Sequence, residues 1–249
     1  MVSAILYLIS LAGFVSAGYI FAHYRYQRKS RSWKLSGTEN AIIGFYGLIL
    51  SFLLLMAGNA NKERYALIHQ HADAIASLHR EAGLLPAPAR DTLRQHVIRL
   101  LESRLETDAE EDDDRREVLL ANTSGYDQMW STVEHFSLQD TLSPKMRPVI
   151  QAAQQAIALN YRIAYSNREG TPLTLMALLI VGSWLVGFLV GFTNGFNAEH
   201  SFLVPVIFFI ITGLTVLTIR DLNDPNAGLI KPSLDNYREM LQAIRPSSR

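Results

Sequence analysis

The sequence predicts an all-α polytopic membrane protein, with four transmembrane helices in two hairpins and a helical water-exposed domain inserted between the hairpins. Three observations support this fold class. Charged residues make up only 18% of the 249 residues, and they are nearly absent from four apolar stretches. The stretches form two close pairs, separated by one long polar region. That region lacks the alternation of apolar and polar residues that strands require.

The four predicted spans depend on the length of chain without charge. Acidic and basic residues delimit the apolar stretches at Arg25, Glu39, Lys62, Glu169, Glu199 and Arg220. The shortest stretch, residues 201–219, reaches about 29 Å at ~1.5 Å per helical residue, which matches a hydrocarbon core of ~30 Å. We therefore predict spans at residues 2–23, 41–58, 173–193 and 202–219.

The short loop between the first two spans predicts the orientation of the protein. Residues 24–40 carry one acidic residue, Glu39, and a basic cluster of Arg25, Arg28, Lys29, Arg31 and Lys34. Because this cluster follows the first apolar stretch, that stretch is predicted to be a membrane anchor and not a cleaved signal. The positive-inside rule then places the loop in the cytoplasm and residues 59–171 outside. Basic residues at the opposite span ends, such as Lys62 and Arg220, oppose this orientation.

The chain is predicted to divide into a hairpin at 1–58, a helical domain at 59–171, a second hairpin at 172–221 and a tail at 222–249. The second span is expected to continue as a helix to Gly83, where prolines end it. A new helix is predicted near Ala89, a shorter one near Tyr126 to His135, and another after the N-cap and proline pair Ser143-Pro144.

The tail is predicted to contain a short amphipathic helix capped by Ser233. Its apolar face consists of Leu234, Tyr237, Leu241 and Ile244. The sequence leaves three surfaces open for this face: the helical domain, lipid headgroups or a neighbouring subunit.

Signatures of enzymes and of metal sites are absent from the sequence. It has no phosphate-binding loop, dinucleotide fingerprint, nucleophile elbow or zincin motif, and no cysteine. His69 and His71 lie on different helix faces, and His71 and His79 lie two turns apart, so neither pair has ligand spacing. The acidic run 106–114 lacks the glycine and glutamate of a calcium loop and is interpreted as a charged surface. We predict no enzymatic activity, no cofactor and, at zero net charge, no nucleic-acid partner.

Small and polar residues form a stripe along one face of the second span. Its candidate pore-lining residues are Gly44, Leu48, Ser51, Leu55, Asn59 and Lys62. One interpretation is close helix packing, which small residues permit in lipid. The other is a pore with a wet mouth at Asn59 and Lys62 and an apolar constriction at Leu48 and Leu55.

The third span repeats a small residue at every fourth position. The residues are Ser183, Gly187, Gly191 and Gly195. This pattern predicts a helix–helix contact and favours a tight bundle or an oligomer. No Asp, Glu, Lys or Arg lies inside any predicted span, which argues against an ion-coupled transporter.

Two stretches resemble the bacterial bestrophin-like membrane proteins, a family known as a domain of unknown function. The first is His71-Ala-Asp-Ala-Ile-Ala-Ser-Leu-His-Arg-Glu-Ala82, followed by Leu85-Pro86, and the second is Asp221-Leu-Asn-Asp-Pro225 with Gly228 beyond it. The chain departs from the family pattern near His71, where a glutamate is common, and before Gly228, where a basic and an aromatic residue are missing.

The resemblance implies a layout of two hairpins and an oligomeric ion channel in the bacterial inner membrane, because bestrophins are anion channels whose second span lines the pore. It also implies a cytoplasmic soluble domain, which conflicts with the orientation predicted from loop 24–40. The alternative function is a membrane-anchored sensor or interaction module, in which residues 59–171 bind a protein partner and no ions pass. The expected partners are the lipid bilayer and further copies of the chain.

Overall fold

The computed structural model describes residues 2–27, 37–109, 115–139, 142–168, 171–196, 202–223, 230 and 233–245. These residues form eight α-helices and one π-helical turn, at His23–Gln27, with no strand among them. The helices are α1 (Val2–Ala22), α2 (Thr38–Gly83), α3 (Ala89–Ala109), α4 (Arg115–Ser137), α5 (Ser143–Arg168), α6 (Leu173–Phe196), α7 (Leu203–Asn223) and α8 (Asp235–Ile244). The predicted all-α class is confirmed.

Four helices are long and apolar enough to cross a membrane: α1, α2, α6 and α7. Each of the four predicted spans agrees with one of these helices, extending at most one residue beyond it. Helix α2 is 46 residues long and continues past its apolar part to Gly83, where the predicted break occurs. The basic residues at 28–34, the acidic residues at 110–114 and the turn at 224–229 lie outside the described residues.

The helices group into two compact units. The membrane unit consists of Met1–Asn61 and Gly170–Ile230, and the helical unit consists of Lys62–Glu169 and Lys231–Arg249. In the membrane unit, α6 packs against both α1 and α7. Its core is built from residues such as Leu11, Leu50, Leu53, Leu179, Val186 and Ile219. Large apolar side chains on the outer faces of these helices remain exposed within the subunit, as expected of helices that face lipid.

The helical unit is a bundle of α3, α4, α5, α8 and the polar half of α2. Its core residues follow helical spacing, as Leu93, Val97, Leu100 and Leu101 do on α3. Helix α4 is longer than the predicted segment at Tyr126 to His135. The weak helix formers Asn122, Thr123, Ser124 and Gly125 come directly before the predicted segment, so the local sequence concealed the part of the helix that precedes them.

The tail helix α8 lies on the helical unit, one of the three surfaces that the sequence left open. Tyr237 is fully buried there, and Leu234 is 8% exposed. The predicted cap was wrong by one position, because the N-cap residue is Leu234, which makes no capping bond with its side chain. The Oγ atom of Ser233 accepts a hydrogen bond from the backbone N–H of Asp235 at 3.1 Å.

Candidate functional site

The six candidate pore-lining residues lie together on one exposed face of α2, which we call the α2 stripe: Gly44, Leu48, Ser51, Leu55, Asn59 and Lys62. Leu48 is 67% exposed and Leu55 is 60% exposed within the subunit. The opposite side of the helix is buried in the core of the membrane unit, through Leu50, Leu53 and Ala57. The described residues of the subunit therefore leave the α2 stripe uncovered.

The glycines on and beside the α2 stripe make no close contact within the subunit. A Cβ atom added at Gly44, Gly47 or Gly58 would meet no heavy atom within 4 Å. The hydroxyl of Ser51 donates a hydrogen bond to the carbonyl oxygen of Gly47 at 2.9 Å. Its proton is thus bonded inside the helix, while the lone pairs of its oxygen can still accept a bond from water.

The small residues of α6 have the opposite surroundings, because α1 crosses directly over them. A Cβ atom at Gly191 would lie 1.9 Å from the carbonyl oxygen of Val15, and one at Gly195 would lie 2.6 Å from that of Tyr19. Gly187 faces side chains of α1 at 3.2 Å. Ser183 is fully buried, and its hydroxyl donates to the carbonyl oxygen of Ile180 at 2.6 Å.

Hydrogen bonds from polar side chains link the helices of the membrane unit, and the sequence analysis did not predict them. The hydroxyl of Tyr46 donates to the carbonyl oxygen of Leu179 at 3.3 Å. The indole N–H of Trp184 donates to Oγ of Ser10 at 3.0 Å. The hydroxyl of Tyr7 is buried, with no hydrogen-bond partner in the part of the chain that the structure describes. Aromatic residues with a polar atom in the middle of a span were the available signal for these contacts.

A second buried polar cluster lies in the helical unit, and we call it the Tyr126–His71–Tyr237 cluster. His71 on α2 is fully buried. Its Nδ1 atom lies 2.6 Å from the hydroxyl oxygen of Tyr237 on α8, and its Nε2 atom lies 2.6 Å from that of Tyr126 on α4. The sequence excluded His71 as a metal ligand, but it gave no sign that two tyrosines from distant parts of the chain would enclose the ring.

Burial controls the ionisation of this cluster. Desolvation, together with the smaller effect of the positive charge of Arg104, lowers the pKa of His71 to about 3. Desolvation also raises the pKa of Tyr126 and raises that of Tyr237 to about 12. All three side chains are therefore neutral at physiological pH. The described residues contain no group of three or more potential metal ligands.

The four apolar helices and the attached bundle define the class of this protein: an all-α integral membrane protein. The Bestrophin-like domain matches residues 8–233. The chain therefore belongs to the Bestrophin-like family, and the resemblance seen in the sequence is confirmed. No curated protein matches the chain.

Solved structures with the same fold include bestrophin homologues from Klebsiella pneumoniae. A variant of a bacterial bestrophin homologue with one mutation matches at a TM-score of 0.69 and 14% identity, covering 97% of each chain. A second bacterial bestrophin homologue structure from that organism matches at 0.69 and 14%, covering 95% of this chain and 94% of the other. A crystal structure described as a membrane protein matches at 0.71 and 14%, covering 95% and 96%. At these identities the likeness concerns the fold.

Proposed function

We propose that copies of this chain assemble around a common axis as an ion channel, with the α2 stripe lining the pore. The observation that carries the proposal is the exposure of the α2 stripe on a helix that is long and apolar enough to cross a membrane. Membership of the Bestrophin-like family supports it, since the resemblance implies a channel with a pore along the second span.

The glycines of α2 favour an arrangement in which something approaches this face from outside the subunit. A glycine in a helix interior costs ~1 kcal/mol relative to alanine. At Gly44, Gly47 and Gly58 no contact within the subunit offsets that cost. Copies of α2 around an axis would use these positions, because glycine allows helix backbones to approach closely and leaves width where a pore needs it.

The order of side chains along the α2 stripe suits conduction. Leu48 and Leu55 would form apolar rings that narrow the pore, and Ser51 between them would offer a hydroxyl oxygen to water or to an ion. Asn59 and Lys62 would form a polar mouth. No charged side chain interrupts α2 between Glu39 and Lys62, so an ion would not be trapped by a fixed opposite charge at depth.

The proposal is tested by ion flux through purified protein in liposomes, with the number of subunits measured in the same preparation. Leu55→Ala widens the proposed constriction and is expected to raise the flux several-fold. Leu214→Ala is the matched control, because Leu214 on α7 is 62% exposed and Leu55 is 60% exposed. Equal flux for both variants and the unmodified protein, or an assembly without flux, would contradict a pore along α2.

The proposed mouth is tested separately through selectivity. Lys62→Gln removes one positive charge per subunit, so we expect the permeability of anions relative to cations to fall. The ratio is measured from reversal potentials in asymmetric salt. An unchanged ratio for both Lys62→Gln and Asn59→Ala would place the selectivity of the channel elsewhere.

The alternative function, a sensor whose helical unit binds a protein partner, receives less support from the surface. Among the described residues of the helical unit, the exposed large hydrophobic side chains are Leu84, Leu138, Tyr161 and Tyr165. Protein interfaces usually have a buried apolar centre that such scattered residues do not supply. A stable assembly that passes no ions would make the sensor the better proposal.

The proposed sidedness follows the charge of loop 24–40 and puts the helical unit outside the cytoplasm, whereas the family resemblance implies the reverse. The chain has no cysteine, so a single introduced cysteine reports its own side of the membrane. Gln242→Cys lies on the exposed side of α8. Labelling in intact cells by an impermeant maleimide would support an extracytoplasmic unit, and protection until the cells are lysed would support a cytoplasmic one.

A further inference from the structure

The tail helix α8 is held on the helical unit through a buried histidine. Its N-cap residue Leu234 and its residue Tyr237 belong to the core. Three further residues of α8 pack against that core in part: Met240, Leu241 and Ile244. At its edges, Asn236 contacts His69, and Arg245 pairs with Glu102. An isolated helix of ten residues is marginal in water, so α8 depends on these contacts for its structure.

The hydrogen bonds of the cluster fit a neutral imidazole ring. The hydroxyl of Tyr237 donates to the carbonyl oxygen of Ile68 at 3.3 Å, and its oxygen accepts the N–H at Nδ1 of His71 beside a hydrogen bond from the guanidinium of Arg104. Nε2 then accepts the hydroxyl proton of Tyr126. In this arrangement each polar atom of the three side chains has a partner, and a neutral histidine supplies the one donor and one acceptor that it requires.

A second proton on His71 would disrupt this arrangement. It would place an N–H at Nε2 opposite the hydroxyl proton of Tyr126, and that proton would lose its acceptor. Because Tyr126 is only 5% exposed, the loss is costly. The charged ring would also lie in the apolar core near the guanidinium of Arg104. The groups that face His71 from the packed helices are Arg104 of α3, Tyr126 of α4 and Tyr237 of α8, while α5 contributes apolar residues to this core. None of these groups is an acid that could compensate the charge.

We propose that α8 is an acid-releasable strap, whose docking on the helical unit requires His71 to be neutral. Release of α8 removes Tyr237 from one edge of the ring and lets water reach it. A hydrated histidine takes up a proton with its ordinary pKa of ~6.5. Protons therefore bind the released state and not the docked state, and by linkage they favour release.

The direction and size of the effect follow from that linkage. The pKa of His71 in the docked state is lowered, so docking is strongest above pH ~6.5 and weakens as the pH falls below it. Between pH 7.5 and 5.5 the ratio of released to docked α8 is expected to rise about tenfold. The pH range of the effect is set by the pKa of His71 in the released state, so it is mildly acidic. In the docked state the ring stays neutral at much lower pH.

The test is hydrogen exchange of the full-length protein in detergent or nanodiscs, followed in peptides that cover 235–244. Protection factors are compared at pH 7.5 and 5.5 after correction for the intrinsic exchange rates. We expect protection of α8 to fall about tenfold and to be lower than that of α5 at both pH values. Unchanged protection of α8 would overturn the proposal. Equal protection of α8 and α5 would also overturn it, because the bundle would then open as a whole.

Two histidine variants identify the group responsible. His71→Gln keeps a polar side chain without a titrating ring, and it should abolish the pH dependence of α8. His69→Gln is the matched control, because His69 also contacts α8 but is exposed, and it should leave the pH dependence intact. Loss of the pH dependence in His69→Gln would overturn the assignment. If His71→Gln does not fold, the exchange of the unmodified protein and of His69→Gln still decides.

Discussion

Two sets of glycines in the membrane unit have opposite surroundings. On α6, Gly191 and Gly195 lie against the backbone of α1. A Cβ atom added at Gly191 or Gly195 would lie 1.9 Å or 2.6 Å, respectively, from the nearest carbonyl oxygen of α1. On α2, Gly44, Gly47 and Gly58 face open space. Both helices are apolar spans with small residues at helical spacing, so the sequence pattern was the same in kind.

The difference teaches that a stripe of small residues reports close approach but does not identify what approaches. On α6 the approaching element is another helix of the same subunit, and the glycines are a requirement of the fold. On α2 none of the described residues lies within 4 Å of a Cβ atom added at Gly44, Gly47 or Gly58. There the glycines are available for contacts or water beyond the subunit, which is what the proposed channel requires.

The largest effect is expected where the two backbones touch. Gly191→Leu would force the new side chain into Val15 of α1, and the helices would have to separate. We expect a loss of about 3 kcal/mol or more in the free energy of unfolding, since the clash is with backbone and cannot be relieved by rotation of a side chain. Thermal unfolding in detergent measures it. A variant as stable as the unmodified protein would mean that α1 and α6 are not in this contact.

A matched pair on α1 sharpens the comparison within one helix. A Cβ atom at Gly18 would lie 2.0 Å from the carbonyl oxygen of Phe188, whereas one at Gly13 would meet nothing within 4 Å. Gly18→Ala should lower the free energy of unfolding by about 1–3 kcal/mol. Gly13→Ala should leave it unchanged or raise it by up to ~1 kcal/mol, because alanine is the better helix former. The same thermal assay applies, and equal effects would break the comparison.

The smallest effect on stability is expected on α2, where function should change instead. Gly58→Ala should leave the free energy of unfolding within ~1 kcal/mol of the unmodified protein, because its Cβ atom has open space around it. In liposomes the same variant should alter ion flux, if copies of α2 meet around a pore. Unchanged flux together with unchanged stability would mean that Gly58 serves neither packing nor conduction.

Sequence reasoning was successful where one physical constraint dominates. Charge-free length located the four spans, because hydrocarbon excludes charge over a fixed thickness. The prolines after Gly83 located the end of α2, and Ala89 the start of α3. The sequence could not show which surface the apolar face of α8 packs against, because amphipathicity indicates only that the face is buried. It also missed the start of α4, because the weak helix formers at 122–125 separate that start from the predicted segment.

The Tyr126–His71–Tyr237 cluster could not be predicted from the sequence for a similar reason. Its members are isolated in sequence, and no local motif links them. His71 and Tyr237 are 166 positions apart, so only the arrangement of whole helices brings them together. For the candidate pore-lining residues, helical spacing alone predicted that they share one face of α2. What surrounds that face outside the subunit remains a proposal.

The separation of His71 and Tyr237 in the sequence determines the order in which the cluster is synthesised. The ribosome makes His71 long before it makes Tyr237, and the last two spans, α6 and α7, are synthesised in between. Until α8 is synthesised, the His71 ring and part of the apolar core of the helical unit are exposed to water. A nascent chain that stops before α8 would therefore be a substrate for chaperones and proteases, and α8 completes the folding of the bundle.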